Sequence, residues 1–190
     1  MPLTTLPRKL RREAGGFRPL VRLRLFSALA SLLPDNAFNG LRTRLYRAGG
    51  LRIAPRVSIL GPLRLVGDGD IRTRLTLEEG CTIAPRVTFG LDAEITVGKN
   101  ASLGPGVIVY TATHAIGFGS RRMTPAATPR PIRIDEGAWV GMGSMVLAGV
   151  TVGRGCVVSA GSVVTQDAPP NTLVQGNPAV VAQNLPFGNR

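Results

Sequence analysis

His114 is the only histidine in the chain, and a neutral imidazole is well suited to take a proton from a hydroxyl near pH 7. It follows the aliphatic Val109 by five positions and precedes a long segment, 115–131, punctuated by proline and glycine. A histidine placed there has one edge on regular structure and the other toward a cleft; the plainer alternative is a polar corner residue satisfied by a carbonyl. The segment itself carries Phe118, Arg121, Arg122 and Met123, and an excursion of that length is usually functional or disordered. As a lid it would exclude water, and its two arginines suit either a grip on an acidic molecule or plain solvation. Trp139, the only tryptophan, directly precedes an inward aliphatic residue. It is therefore expected at a corner outside the core, where so large a side chain has little purely structural reason to be. Asp92 and Glu94 lie at a two-residue slip in the chain's periodicity, and Asp92 fits a turn as readily as a binding role. Cys81 and Cys156, the only cysteines, occupy small inward positions and read as packing residues. Two such thiols make no disulfide framework and suit a reducing compartment.

What positions these residues is a six-residue beat. Aliphatic or aromatic residues recur at Ile53, Ile59, Leu65, Ile71, Leu77, Ile83, Phe89 and Ile95, then at Val97, Leu103 and Val109. The beat resumes at Ile134, Val140, Val146, Val152, Val158 and Val164. A period of six suits short strands whose aliphatic residue points inward while a small residue four later packs beside it and Gly, Pro or Asn turns the corner. A helical period of 3.6 would scatter the same residues around a cylinder. Three strands per turn give a triangular prism, a single continuous all-β solenoid less than six coils tall, since such repeats hold a core only by stacking. The expected organisation is a front segment over 1–52, a parallel β-helix over 53–169 with one extruded loop at 115–131, and a C-terminal tail over 170–190.

The front segment is strongly basic. Much of the formal charge of +12 sits at Arg8, Lys9, Arg11, Arg12, Arg18, Arg22, Arg24, Arg42, Arg44, Arg47 and Arg52, a surface that would attract phosphates, acidic glycans or anionic lipid headgroups. Nucleic acid is the less favoured partner, because no stacking aromatic platform or zinc-finger spacing accompanies the charge. No apolar run approaches the roughly 20 residues needed to cross a bilayer. Residues 25–33 could imitate a signal peptide, but without a small-residue cleavage site they read as helix. Residues 1–19 read as an irregular basic arm. Val21, Leu25, Leu29 and Leu32 then form one apolar face of a first helix closed by Pro34. A second, capped by Asp35 or Asn36, carries the stripe Phe38, Leu41 and Leu45 up to Gly49 and Gly50. Two roles are open for this pair: covering the solenoid's open end, where a β edge would otherwise be bare, and resting a basic face on a membrane.

Over roughly residues 50–182 the hexads resemble those of the hexapeptide-repeat acyltransferases. Five stretches carry the resemblance in order: Thr111-Ala112-Thr113-His114, Trp139-Val140-Gly141, Ala148-Gly149-Val150-Thr151-Val152-Gly153, Ala160-Gly161-Ser162-Val163-Val164-Thr165 and Gly176-Asn177-Pro178-Ala179. Together they are similar to the maltose, galactoside, Nod-factor and exopolysaccharide O-acetyltransferase group. The resemblance implies a left-handed parallel β-helix, an exception to the usual right-handed crossover, and a cytoplasmic homotrimer with its clefts between adjacent prisms. It further implies acetyl-CoA as donor substrate, no metal, and a saccharide or polysaccharide precursor as acceptor. His114 becomes the general base, with backbone N–H groups stabilising the oxyanion. Asp92 becomes a ligand for acceptor hydroxyls, Arg121 and Arg122 lie near the acceptor, and Trp139 lines the donor and acceptor cleft. Gly141, Gly143, Ser144, Ala160, Gly161, Thr165 and Pro178 border the pantetheine arm.

Several positions depart from the group's pattern. Ala115-Ile116-Gly117 follows the histidine where an acidic residue is common, so a backbone carbonyl or a distant carboxylate must orient the ring. Ala84 replaces an acceptor-binding asparagine. Gln166, Val180 and Gln183 stand where basic residues usually meet the coenzyme's 3′-phosphate, with Arg154 or Arg190 as the substitutes. Acetylation of a xenobiotic or other small alcohol, and a non-catalytic scaffold, are the competing readings. A zinc-dependent relative on the same prism needs three histidines and is excluded.

Overall fold

The computed structural model describes residues 8–186 except residue 121, with the backbone alone for 8–19. Its body is a parallel β-helix of five complete three-stranded coils and a partial sixth. The first coil is β1 (Arg52–Ile53), β2 (Ser58–Ile59) and β3 (Arg64–Val66); the second is β4 (Leu75–Leu77), β5 (Thr82–Ile83) and β6 (Thr88–Gly90). The third is β7 (Ile95–Val97), β8 (Ser102–Leu103) and β9 (Ile108–Tyr110). A hairpin of β10 (Ala112–Ile116) and β11 (Met123–Pro129) intervenes. The fourth coil is β12 (Ile132–Ile134), β13 (Trp139–Val140) and β14 (Met145–Leu147), and the fifth is β15 (Thr151–Val152), β16 (Val157–Val158) and β17 (Val163–Val164). Ala168 bridges to Val152, and β18 (Thr172–Gly176) extends the second face before β19 (Ala179–Asn184) turns back antiparallel upon it. The stretch expected as a tail therefore opens as a strand pair.

The beat sets the register. Ile53 lies over Leu77, Leu77 over Val97, Val97 over Ile134 and Ile134 over Val152, steps of 24, 20, 37 and 18 residues. The second face repeats the same steps through Ile59, Ile83, Leu103, Val140 and Val158, and the third through Leu65, Phe89, Val109, Val146 and Val164. Every surplus residue therefore enters at a single edge of the prism, between the third face and the first. We call this the variable edge. Ile71, a beat in the sequence, is not in a strand; it lies in a 3-10 turn at this edge and still buries its side chain. The other two edges turn on four-residue corners. Their third position is left-handed, held by Arg56, Gly80, Asn100, Gly137, Gly155 and Asn171 on one edge and by Arg86, Gly106, Gly143 and Gly161 on the other.

Inside the prism the beat residues are almost wholly buried and form one core with Cys81, Val87, Ala101, Val107, Ala138 and Cys156. Full burial of each aliphatic is worth about 1.5–3 kcal/mol. Cys81 and Cys156 are free thiols in that core, and burial pushes the Cys81 thiol up to about 12.

Two helices close the lower end, α1 (Arg8–Ser31) and α2 (Asn39–Ala48). The irregular arm expected through residue 19 is helical from Arg8. Gly15, four residues before Pro19, is the acceptor that proline's missing N–H leaves unused, and a glycine there adds no Cβ to the crowding. The apolar face expected to pack is the exposed one: Val21, Leu25, Leu29 and Leu32 face out, while Leu23 and Ala30 are buried. On α2, Phe38 and Leu41 are likewise exposed, and the buried residues are Arg42, Thr43 and Tyr46. The helix starts after Phe38 in a left-handed conformation with no side-chain cap. Neither Asp35 nor Asn36 caps it; the Asn36 N–H instead donates to the Leu60 carbonyl at 2.6 Å.

Side chains of α2 bond the backbone of the first coil, and Arg47 and Thr43 take carbonyls that a further coil would have met. The Leu63 N–H donates to Tyr46 Oη at 2.8 Å, Arg47 donates to the Ile53 and Ala54 carbonyls, and Thr43 Oγ1 donates to Asn39 and Val57. Arg42 is fully buried. Its guanidinium donates to the carbonyls of Ala30, Leu33, Pro34, Ala37 and Ile59 and to Asn39 Oδ1, at 2.6–3.4 Å. This arginine belongs to the cap and not to the basic surface read from sequence. Among the described residues no helix is long and apolar enough to cross a membrane.

Candidate active site

The segment 115–131 is not an irregular loop. Ala112 pairs with Pro129, Thr113 with Thr128 and His114 with Ala127, then a bulge of Thr124, Pro125 and Ala126 opposite Ala115 shifts the register so that Ile116 meets Met123. The bulge brings the Thr124 carbonyl to the histidine. His114 Nδ1 lies 2.8 Å from Thr124 O, and because a carbonyl only accepts, Nδ1 must carry the proton. Nε2 is then left with a lone pair on an exposed side chain. The orienting group is thus a backbone carbonyl, the first of the two options the sequence left.

The hairpin is rooted by Thr111, whose side chain is fully buried. Its Oγ1 donates to the Gly90 carbonyl at 2.6 Å and accepts from the Ala93 N–H at 2.9 Å, and its own carbonyl accepts from the Arg130 N–H. One hydroxyl therefore ties the hairpin to segment 91–94 in the coil below. Asp92 lies in that segment, half-buried, and its carboxylate forms no ion pair among the described residues. Asp92 and His114 consequently belong to the same edge in consecutive coils. Beside them the Tyr110 ring lies flat over Gly90, where a Cβ would overlap it. Thr111 and Tyr110 were missed as positioning residues. The available signals were a buried-type threonine directly before the hairpin and a glycine at position 90, where the beat's neighbour on the third face is otherwise larger.

Arg122 is exposed and reaches the Gly117 carbonyl at 3.4 Å; Arg121 lies outside the described residues. Phe118, at the hairpin's turn, is 100% exposed, and Ile116 and Met123 are open to solvent beside it.

A second group gathers on the edge between the second and third faces, the glycine edge. Gly141 is there because a Cβ would sit 2.6 Å from the Ala160 backbone nitrogen, so only glycine lets the coils stack at this point. Gly143 and Gly161 hold the left-handed corner position, with open space where a side chain would be. Ser144 is buried, and its Oγ donates to the Ser159 carbonyl at 2.8 Å. Its side chain stitches coils together and offers only backbone to a ligand. Ala160 and Pro178 are exposed. Pro178 follows a cis peptide in the β18–β19 turn, and that turn is held to the glycine edge by the Gly176 N–H donating to Ser162 Oγ at 3.1 Å.

Trp139 is 56% exposed, as its place before an inward valine requires. It stands on the flat second face between Ser102 and Val157 and not at a corner. Thr165 is exposed beyond β17, at the variable edge above the hairpin. Arg154 lies on the remaining edge, away from the glycine edge, and Arg190 is outside the described residues. Within one chain, then, His114 and Asp92 share one edge while Gly141, Gly143, Ala160, Gly161 and Pro178 share another. The third face separates them.

Residues 131–166 match the family described as bacterial transferase hexapeptide, six repeats. That stretch carries the hexapeptide repeat. The hexapeptide-repeat prism superposes on a hexapeptide-repeat containing acetyltransferase from Vibrio cholerae, complexed with acetyl coenzyme A, with TM-score 0.75 and 26% identity over 90% of this chain and 88% of that one. It shares its left-handed β-helix, and shares the fold also with a maltose O-acetyltransferase from Clostridium difficile (TM-score 0.73, 24% identity, 90% and 88% covered). In sequence, 94 residues are 37% identical to the galactoside O-acetyltransferase of Lactococcus lactis, covering 50% of this chain and 45% of that enzyme. The chain spans under half the length of the curated relatives it matches.

Proposed function

We propose that the protein is an acetyl-CoA-dependent O-acetyltransferase acting on a hydroxyl of a saccharide or polysaccharide precursor in the cytoplasm, with His114 as general base. The observation that carries this reading is the Nδ1 contact to Thr124 O, which fixes the ring and leaves Nε2 as a proton acceptor on an exposed hairpin. Nε2 takes the proton from the acceptor hydroxyl as its oxygen attacks the thioester carbonyl carbon. The C–S bond breaks, and the departing coenzyme A thiolate recovers the proton from the imidazolium. Such a base contributes about 10²–10⁴-fold. Asp92, without an ion pair among the described residues, suits the vicinal hydroxyls of a sugar.

The donor's pantetheine arm fits the glycine edge, where Gly143 and Gly161 leave open space at the surface. Because that edge and His114 are separated within one chain, the reading requires a homotrimer in which the hairpin of one copy meets the glycine edge and Trp139 of its neighbour. The exposed Ile116, Phe118 and Met123 supply apolar surface for that meeting.

The test is release of free thiol from acetyl-CoA across a panel of simple sugars, oligosaccharides and small aromatic alcohols, for wild type and His114→Ala. We expect a loss of about 10²–10⁴-fold with an unchanged melting temperature. Equal turnover by the two proteins would remove His114 from the chemistry, and a monomeric mass at working concentration would remove the shared cleft.

A further inference from the structure

Helix α1 is apolar on two opposite sides. Leu23 and Ala30 are buried on one, packed with the cap and the solenoid core. Val21, Leu25 and Leu29 occupy the other, with Leu32 in the turn just past the helix continuing it, Leu25 at 57% and Leu32 at 79% exposure. At about 100° per residue these four fall within a strip about 80° wide, pointing away from the buried pair and flanked on either side by Arg22 and Arg24. Phe38 and Leu41, at the start of α2, are exposed as well. A helix that merely covers a solenoid end needs one apolar side, with polar residues opposite. An apolar strip on the solvent side marks a surface that something covers.

Charge indicates what covers it. Between positions 8 and 48 the chain holds ten basic and two acidic residues. Even with Arg42 withdrawn into the cap, the segment is strongly cationic. An apolar strip bordered by arginines is the arrangement of a helix lying in a bilayer interface, its aliphatic side chains at the acyl boundary and its guanidinium groups among headgroup phosphates. We propose that α1 docks the protein on an anionic lipid surface through Val21, Leu25, Leu29 and Leu32, with Arg22 and Arg24 reaching the phosphates.

Flotation of the full-length protein with phosphatidylcholine vesicles containing about 30% phosphatidylglycerol tests this directly, and it reads no acetyl transfer, so its outcome is independent of the proposed catalysis. We expect wild type to float with these vesicles, to float less in high salt and to stay behind with phosphatidylcholine alone. The double variant Leu25→Gln, Leu32→Gln, altered only at exposed positions, should partition at least about tenfold more weakly. The pair Arg22→Gln, Arg24→Gln should lose the preference for anionic lipid. Wild type remaining in the supernatant would overturn the proposal, as would a double leucine variant that floats like wild type. Light scattering separates the remaining occupant: if the leucine variant drops to a smaller assembly while wild type never floats, the strip is covered by a second copy and the lipid proposal fails.

Discussion

The variable edge and the glycine edge turn the same chain through the same prism, yet they treat added residues in opposite ways. At the glycine edge each corner must match the one below it. Gly141 sits so close to Ala160, and Ser144 and Ser162 are so committed to the neighbouring backbone, that the corner keeps its length and Gly141 its size, while only the outward third position varies. At the variable edge successive coils take in six, two or nineteen residues beyond the eighteen-residue coil, and the strands on either side stay in register. A stacked solenoid therefore tolerates growth where a corner faces outward and the added backbone finds its own hydrogen bonds, as the hairpin does. The candidate chemistry follows the same division, with side chains at the variable edge and bare backbone at the glycine edge.

Gly141→Val attacks the strict edge and should do the most damage to the fold. The valine has no room beside Ala160, and we expect a loss of about 2–3 kcal/mol, or about 4–12 °C in melting temperature. An unchanged melt would mean that the glycine edge is no stricter than the other. Thr111→Val tests what joins the variable edge together. It removes a buried hydroxyl and leaves the Ala93 N–H without its acceptor, while the Gly90 carbonyl keeps the Thr111 N–H, a cost of about 1–3 kcal/mol. If Thr111 positions Asp92 and the hairpin, KM for the acceptor should rise more than kcat falls, whereas a uniform loss of active protein would make it a stability residue only. A Gly-Ser pair inserted after Gly69, in the six-residue surplus, should cost within about 0.6 kcal/mol by urea unfolding. A loss as large as that of Gly141→Val would erase the distinction between the edges. The smallest effect at ordinary pH concerns the third edge, where Cys81 packs inward. Its thiol is raised to about 12 from 9.0 by burial. Its contribution to stability is therefore fully present below pH 9 and lost as the pH climbs through the folded value. A thiol reagent at pH 8 should leave it unmodified until the protein unfolds, and prompt reaction of the native protein would show that the corner opens.

The strands were legible because one inward aliphatic in six leaves a periodic trace, and the register follows from it. The hairpin was not, because Pro125 and Pro129 lie in β11, and proline argues against a strand unless its nitrogen faces away from the ladder. His114 stood out through its type and place. Its orienting partner did not, since a main-chain carbonyl leaves no mark on the sequence and only the bulge opposite Ala115 brings Thr124 within reach. On α1 the spacing of Val21, Leu25, Leu29 and Leu32 identified a helix correctly but the packed side wrongly, because Leu23 and Ala30 offer a second apolar side and periodicity cannot choose between them. Arg42 read as surface charge for a related reason. What buries it is a set of helix-end and coil carbonyls that exists only once α1, α2 and the first coil have met.

That arginine also bears on how the solenoid ends. Among the described residues no strand lies beneath the first coil; the cap over it is held by Tyr46, Thr43 and Arg47, by its buried apolar residues, and by one guanidinium that joins the last turn of α1, the connecting segment and Ile59. Without Arg42 those carbonyls would lose that donor together, so α1, the connecting segment and the first coil would be loosened from one another at once. The uncovered coil would present a strand surface of the kind on which another chain's strands can add. What keeps the solenoid a discrete particle is thus a cap whose parts one buried side chain helps to join.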